Sequence, residues 1–282
     1  MYGRDEFMSE LLLKQMDAGM LVLTLNRPEQ LNALTWKLMR LLQEALEQAS
    51  ADPAVRVVVL TGNGRGFCAG GDIRSREQLD PEDPISASWS SDPLWKTYEM
   101  RVSQVIRLSA SPVLLHTMPK PTIAMVHGAA AGAGLCLAAA CDFRIASDTA
   151  VFTTAFSKAA RSGDFGGSYL LPRLIGAAKA RELYLLSEKL SAAEALQIGL
   201  VNKVVPQKLL EEETFHLAKR LAKGPAAAYR YIKRNLHAAE TMTLEQVIEL
   251  ETHHMLRCSE TEDAKELFNA AREGREPVYR GY

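Results

Sequence analysis

Residues 121–142 read PTIAMVHGAAAGAGLCLAAACD, and the reading of this stretch decides the fold. Residues 122–127 are apolar and partly β-branched and lie between Pro121 and Gly128, which predicts a short buried strand. Seven small residues follow without a break, Gly128 to Gly134. They free the backbone to turn sharply and let a ligand approach the main chain. Residues 135–141 then predict the first turns of a buried helix, and Asp142 leads into a further strand over 143–146. Amides at a helix start have no intrahelical acceptor, and the helix dipole adds partial positive charge there. A strand, a glycine turn and a buried helix start therefore suit negative charge developing on a carbonyl oxygen. Tight helix–sheet packing would use the same residues, so a second copy of the arrangement matters. Residues 56–60 (RVVVL) predict another buried strand, and 61–73 (TGNGRGFCAGGDI) another glycine-rich turn. Two such turns can offer two N–H donors to one oxygen, as an enzyme acting on acyl thioesters requires.

Further motifs accompany the two turns. Residues 64–73 (GRGFCAGGDI), 127–147 (HGAAAGAGLCLAAACDFRIAS) and 163–176 (GDFGGSYLLPRLIG) resemble, in order and spacing, the crotonase (enoyl-CoA hydratase/isomerase) superfamily. Residues 25–34 (LNRPEQLNAL), 191–205 (SAAEALQIGLVNKVV) and the ending EDAKELFNA…EPVYRGY fit the same pattern, so the resemblance runs from about residue 21 to 282. It implies an α/β fold, a crotonase-like spiral of ββα units over residues 1–205. A C-terminal helical region over 206–282 would serve trimerisation and closure of the CoA site. It also implies an acyl-CoA substrate, assembly as a trimer or dimer of trimers, and no cofactor beyond the coenzyme A that the substrate carries.

The resemblance assigns site residues as well. The oxyanion-hole amides would be those of Ala69 and Ala133, and alanine is no obstacle because only the N–H is used. CoA would be held by Arg27, Leu31 and Ala33, by Ala69, Gly70, Asp72 and Ile73, and by Lys265 and Phe268 of the same or a neighbouring subunit. A solvated loop charge is the plainer reading of Arg27. The acyl pocket would hold Trp89, Trp95, Cys136, Phe156 and Phe165. Trp89 and Trp95 sit in an irregular Pro/Ser-rich stretch, residues 74–95. They are expected either to cover an apolar or aromatic acyl group or to fill the gap between loop and core.

The chemistry turns on carboxylates. Hydratases of the superfamily hold one water between two glutamates, and those positions are Cys136 and Phe156 here. Asp164, eight residues past Phe156, matches the aspartate of branches that shift double bonds, among them the dienoyl-CoA and 1,2-epoxyphenylacetyl-CoA isomerase groups. One carboxylate beside an acyl thioester can take a proton from the α or γ carbon and return it elsewhere while the oxyanion hole holds the enolate. Burial among Phe156, Phe165 and Tyr169 is expected to raise the pKa of Asp164. The plainer role for Asp164 is to cap the helix starting near Gly166. Cys136 has no cationic neighbour in sequence and reads as packing rather than as a nucleophile. His127, ending a strand, reads as structural; His116 lies near, and Glu99 is a second acid to consider.

An enoyl-CoA isomerase is therefore expected. Three alternatives stand: a hydratase with a rearranged acid/base pair, a dehalogenase with Asp164 as nucleophile but no matching histidine, and a non-catalytic acyl-CoA- or RNA-binding homologue. Acidic and basic residues alternate through the helical end, which disfavours a phosphate-tracking stripe.

The remaining expectations are coarser. Of the 282 residues, 47% are apolar and 24% charged, the proportions of an ordinary globular protein. A formal net charge of −1 gives no global attraction for nucleic acid or anionic membrane. No apolar run is long enough to cross a bilayer, and the first residues do not read as a signal or transit peptide. A cytoplasmic location is expected. Cys68, Cys136, Cys141 and Cys258 lack metal-ligand spacing, so no metal and no disulfide are expected. Apolar periodicity predicts a strand over 20–25 and helices over 34–50, 98–115, 183–186, 192–198, 211–221, 226–239 and 244–254.

Overall fold

The computed structural model describes residues 11–72, 94 and 97–281. Strands β1 (Leu12–Asp17) and β2 (Met20–Leu25) form an antiparallel hairpin through Ala18 and Gly19, both at positive φ. The sequence reading finds only β2, because β1 is exposed from Lys14 onward and carries no apolar alternation. Helix α1 (Trp36–Ala51) starts at Trp36, where the Thr35 hydroxyl accepts the Leu38 amide and closes the first turn. Its apolar stripe, with Leu38, Leu42, Leu46 and Ala49, is buried.

Next come β3 (Val57–Gly62) and β4 (Gly66–Cys68), then helices α2 (Tyr98–Leu108) and α3 (Ser111–Thr117). The single helical run expected over 98–115 is thus two helices. Pro112 has no amide to donate, so it sits in the first turn of α3, where none is needed. Strands β5 (Thr122–Val126) and β6 (Ala129–Ala131) precede α4 (Ala133–Ala140), and β7 (Phe143–Ser147) and β8 (Val151–Thr153) follow it. Then come α5 (Gly167–Ile175), α6 (Ala177–Leu186), β9 (Leu190–Ser191), α7 (Ala192–Gln197) and β10 (Lys203–Val205). Helices α8 (Leu210–Ala222), α9 (Ala226–Ala239), α10 (Leu244–Ser259) and α11 (Glu262–Glu273) complete the described chain.

Two sheets organise these elements. One runs β1-β2-β3-β5-β7-β10 and is parallel beyond the first hairpin; the other runs β4-β6-β8-β9 and is parallel up to β9. Each circuit lays one strand in the larger sheet and a short one in the smaller: β3 then β4, β5 then β6, β7 then β8. That is a spiral of ββα units. The larger sheet is covered on both faces, which explains why its strands read as continuous apolar runs. Val58 and Leu60 face the main core with α1 and α4, whereas Val57 and Val59 face Leu210, Ala218 and Leu221 of α8.

The boundary drawn at 205/206 therefore cuts between β10 and a helix that belongs to the core. Beyond α8, the helical end is tied back by Lys233 of α9, only 9% exposed, which contacts Asp142 at 2.7 Å. Asp142 also accepts the Thr122 amide at 2.8 Å, so one carboxylate joins α9 to the start of β5.

All eight residues of α4 are buried. A Cβ on Gly134 would stand 2.2 Å from the Cys68 carbonyl oxygen, so this helix start touches the end of β4 only because the residue is glycine. That contact brings the two glycine-rich turns together.

Candidate active site

The second turn behaves as its sequence predicts. Gly132 (φ 52°) precedes α4, and Ala133 is the first helical residue, so its amide has no acceptor within the helix. Between His127 and Gly132 the chain also forms β6, hidden in the sequence because an alanine-only strand has no side-chain signature.

The first turn is built differently. Leu34 pairs in parallel with Gly71: the Leu34 amide donates to the Gly70 carbonyl at 2.7 Å, and the Asp72 amide donates to the Leu34 carbonyl at 3.0 Å. In such a pairing the N–H of Gly71 itself points away from Leu34. Ala69 is not available. Its amide donates to the Leu31 carbonyl at 2.9 Å, which corrects its expected place in the oxyanion hole. The donor this turn can offer is Gly71. Gly70 (φ 94°) carries the chain past the second turn so closely that a Cβ on it would lie 2.8 Å from the Ala131 oxygen and 3.4 Å from the Ala133 nitrogen.

Residues 27–34 clamp the first turn in place. Arg27, only 16% exposed, is no solvated loop charge; it pairs with Asp72 at 2.9 Å, and its Nη1 also donates to the Ala33 carbonyl. Arg27, Leu31, Ala33, Ala69, Gly70 and Asp72 are thus brought together around the first turn. Asn32, which the sequence reading passes over, is fully buried at φ 58°. Its Oδ1 accepts the Arg27 amide at 2.8 Å, while Nδ2 donates to the carbonyls of Asn63 and Gly66 at 2.9 and 2.7 Å. Asparagine tolerates this left-handed backbone, and the LNRPEQLN turn is where such a residue could have been sought.

Asp164 approaches from the other side. It lines a narrow cavity with Leu34, Trp36, Met39, Gly71, Asp72 and Phe165, with room for about 10 Å³, near that of a single water. Its loop turns through Gly163, Phe165 and Gly166, all at positive φ. For buried Phe165 that is an uncommon conformation, held by its surroundings. The N-cap of α5 is Gly166, which has no side chain to offer.

The aromatic surroundings also differ from expectation. Tyr169 is turned to Glu240, whose Oε2 accepts its hydroxyl hydrogen bond. Tyr184 of α6 takes its place, stacking on Phe156 with ring centroids 5.6 Å apart. The Tyr184 hydroxyl is buried with no hydrogen-bond partner among the described residues. Burial, with the nearby Cys136 and Asp164 adding, pushes that phenol up, so it stays a donor. Nothing in the RELYLL pattern marks Tyr184 as near the site, because it is distant from Asp164 in the chain.

Cys136 is fully buried; burial first, then the Asp164 charge, pushes its thiol up, which fits an inert packing role. Phe156 is buried with its ring edge 3.6 Å from where a Gly132 Cβ would lie. Neither former glutamate position holds an acid. Glu99 is exposed on α2. His127 is lowered by burial, as suits a structural histidine. Lys265 and Phe268 are exposed on α11, Lys265 paired with Glu262 at 2.6 Å, and no described hydrogen bond or ion pair ties either to these loops. Ile73, Trp89 and Trp95 lie outside the described residues.

Comparison with known proteins agrees with this architecture. Residues 15–282 match the family described as Enoyl-CoA hydratase/isomerase. The 1,2-epoxyphenylacetyl-CoA isomerase of Escherichia coli (strain K12) is 37% identical over 274 residues, covering 97% of this chain and 100% of the relative. A probable enoyl-CoA hydratase of Mycobacterium tuberculosis (strain ATCC 25618 / H37Rv) is 39% identical over 215 residues, 76% of this chain and 72% of the relative. Among solved structures, an enoyl-CoA hydratase from Bacillus anthracis superposes with a TM-score of 0.86 at 31% identity, covering 96% of this chain and 100% of that one. One from Polaromonas sp. JS666 does so at 0.83 and 34%, covering 95% and 99%. Motifs, spiral topology and these likenesses lead to one conclusion: the chain belongs to the enoyl-CoA hydratase/isomerase family, the crotonase superfamily.

Proposed function

We propose that the protein is an acyl-CoA isomerase that moves a double bond, or rearranges a ring, through an enolate. In this reading the thioester carbonyl lies between the amides of Gly71 and Ala133. Asp164 removes a proton from the α or γ carbon. The electron pair moves onto the thioester oxygen, where the two N–H groups hold the charge. The protonated Asp164 then returns the proton to a different carbon, and the enolate collapses. No water is consumed, so one carboxylate suffices. Tyr184, a protonated phenol beside Asp164, adds a donor to the same surroundings.

One observation carries this reading. Asp164 lines the cavity beside Gly71, opposite an Asp72 that pairs with Arg27 at 2.9 Å, which supports Asp164 as the group that transfers the proton. The 37% identity with a named isomerase supports it. Several relatives are named as probable hydratases, but Cys136 and Phe156 stand where a paired-acid hydratase needs carboxylates. The deciding experiment incubates the protein with aliphatic, dienoyl and aryl acyl-CoAs in deuterated water. Deuterium appearing at Cα or Cγ supports the enolate, whereas addition of water to the double bond makes the protein a hydratase. RNA retention without any turnover would support a binding role instead.

Assembly belongs to the same proposal. Ile232, Leu236, Leu244, Ile248 and Phe268 are all at least 50% exposed along α9 to α11, more apolar surface than a helical end in water would carry alone. A trimer or dimer of trimers would cover it, and light scattering should give three or six times the chain mass. No helix among the described residues is long and apolar enough to cross a membrane. We propose a cytoplasmic enzyme, checked by fractionation.

A further inference from the structure

Outside the active site, two helices converge on a cluster that the reaction above does not use. His116 comes from α3, His237 from the last turn of α9, and Glu240 from the C-cap of that helix. Their ligand atoms all lie within 4.8 Å of one another. His116 Nε2 is 3.4 Å from the Glu240 carboxylate, and His237 Nδ1 is 3.4 Å from Glu240 Oε2. Ligands about 2.0–2.1 Å from a tetrahedral zinc ion stand about 3.3–3.5 Å apart, so two of the three edges already have that length. The third edge, between the imidazoles, would close by rotation of His237, whose side chain is 45% exposed.

We propose that His116, His237 and Glu240 bind one divalent transition metal ion, zinc above all, which pins α9 to α3. Four features argue for a cation over a simple ion pair. Two imidazoles and a carboxylate are a donor set that suits zinc and disfavours calcium or magnesium, which prefer all-oxygen shells. His237 and Glu240 are three residues apart on one helix face, the spacing by which helices present two ligands to one ion. The negative end of the α9 dipole lies there and favours positive charge. The carboxylate is also oriented from behind: the Tyr169 hydroxyl donates to Glu240 Oε2, and Tyr169 is itself held under Arg173, whose guanidinium lies 3.6 Å from the ring centroid. A three-residue set leaves a fourth position for water. The sequence hides this site because His116 is remote from His-x-x-Glu in the chain.

The test uses tag-free, full-length protein stripped with a chelator, then loaded with Zn²⁺ or Co²⁺. One equivalent of zinc per chain should survive gel filtration, and cobalt should give the intense visible bands of a tetrahedral site. Zinc should also raise the melting temperature. Glu240→Gln, which keeps the side chain's shape, and His237→Ala, at an exposed position, each shown to be folded by circular dichroism, should lose the retained zinc, the cobalt bands and the thermal shift. Tyr169→Phe should weaken affinity by about 10- to 100-fold. His253→Ala, on α10, should keep all three signals. Failure of wild-type protein to retain zinc, retention by Glu240→Gln, or loss in His253→Ala would each overturn the site. Octahedral cobalt spectra with sub-stoichiometric zinc would also overturn it, indicating adventitious surface binding.

Discussion

The two glycine-rich turns look alike in sequence and are held in different ways. The second presents its donor at the start of a wholly buried helix, where Ala133 lacks an intrahelical acceptor by position alone. The first presents Gly71 from an extended segment, fixed by pairing with Leu34 and by the buried Asn32 side chain. A donor at a helix start is set by local sequence. A donor on an extended segment depends on a partner from elsewhere in the chain, here residues 27–34. The resemblance alone places the first donor at Ala69, two residues before Gly71, because it carries no information on which amide the Leu31 carbonyl takes up.

The largest expected effect tests whether the turns make an enzyme at all, or only a cradle for an anion. Asp164→Asn keeps the shape and removes the base. Isomerisation and deuterium exchange should fall by about two to four powers of ten, the range of a general acid/base. Binding of a CoA ester, followed by calorimetry, should change little. Exchange at the wild-type rate would remove Asp164 from the chemistry and return attention to Glu99.

Next come the donors themselves. Proline at the first helical position is sterically tolerated, so Ala133→Pro deletes an amide and spares the helix. Gly71→Pro deletes the other, which faces away from Leu34. Each should lower kcat by about 10²–10³, as loss of one oxyanion donor does. Stopped-flow assays of both should agree. A loss confined to Ala133→Pro would mean that the first turn only shapes the pocket.

Much of this was legible beforehand, and the exceptions have a pattern. Strands such as Val57–Gly62 and Thr122–Val126 are buried on both faces, so apolar runs announce them. Asp164 stands out as an acid in a glycine-rich loop. What escaped depends on backbone pairing or on remote neighbours. The β6 strand Ala129–Ala131 is defined by its ladders to β4 and β8, not by its side chains. Tyr184 reaches the site only because α6 packs beside α5, and Tyr169, expected at Asp164, is drawn to Glu240 instead.

A smaller effect concerns the contact that joins the turns. Gly134→Ala places a Cβ 2.2 Å from the Cys68 oxygen, a backbone atom that cannot rotate aside. Destabilisation of about 1–3 kcal/mol is expected from such overpacking, read as a lower midpoint in urea. Because α4 would be pushed off β4, kcat should fall alongside stability. A folded variant with both values unchanged would show that the turns need not touch.

The finest test separates Ala69 from Gly71. The Ala69 amide ends on the Leu31 carbonyl at 2.9 Å, so its loss costs a structural hydrogen bond and not a contact to substrate. Ala69→Pro should therefore lower stability by about 1 kcal/mol, the net worth of such a bond. The exchange rate per folded molecule should stay within a few-fold of wild type. Gly71→Pro should show the reverse, near-native stability with the catalytic loss described above, because no described acceptor depends on its amide. Measuring both variants by urea titration and by deuterium exchange gives two ratios that move in opposite directions. If Ala69→Pro abolishes exchange while its midpoint holds, the Leu31 bond must yield to substrate. The first donor would then be Ala69 after all, and the two turns would be equivalent as their sequences suggest.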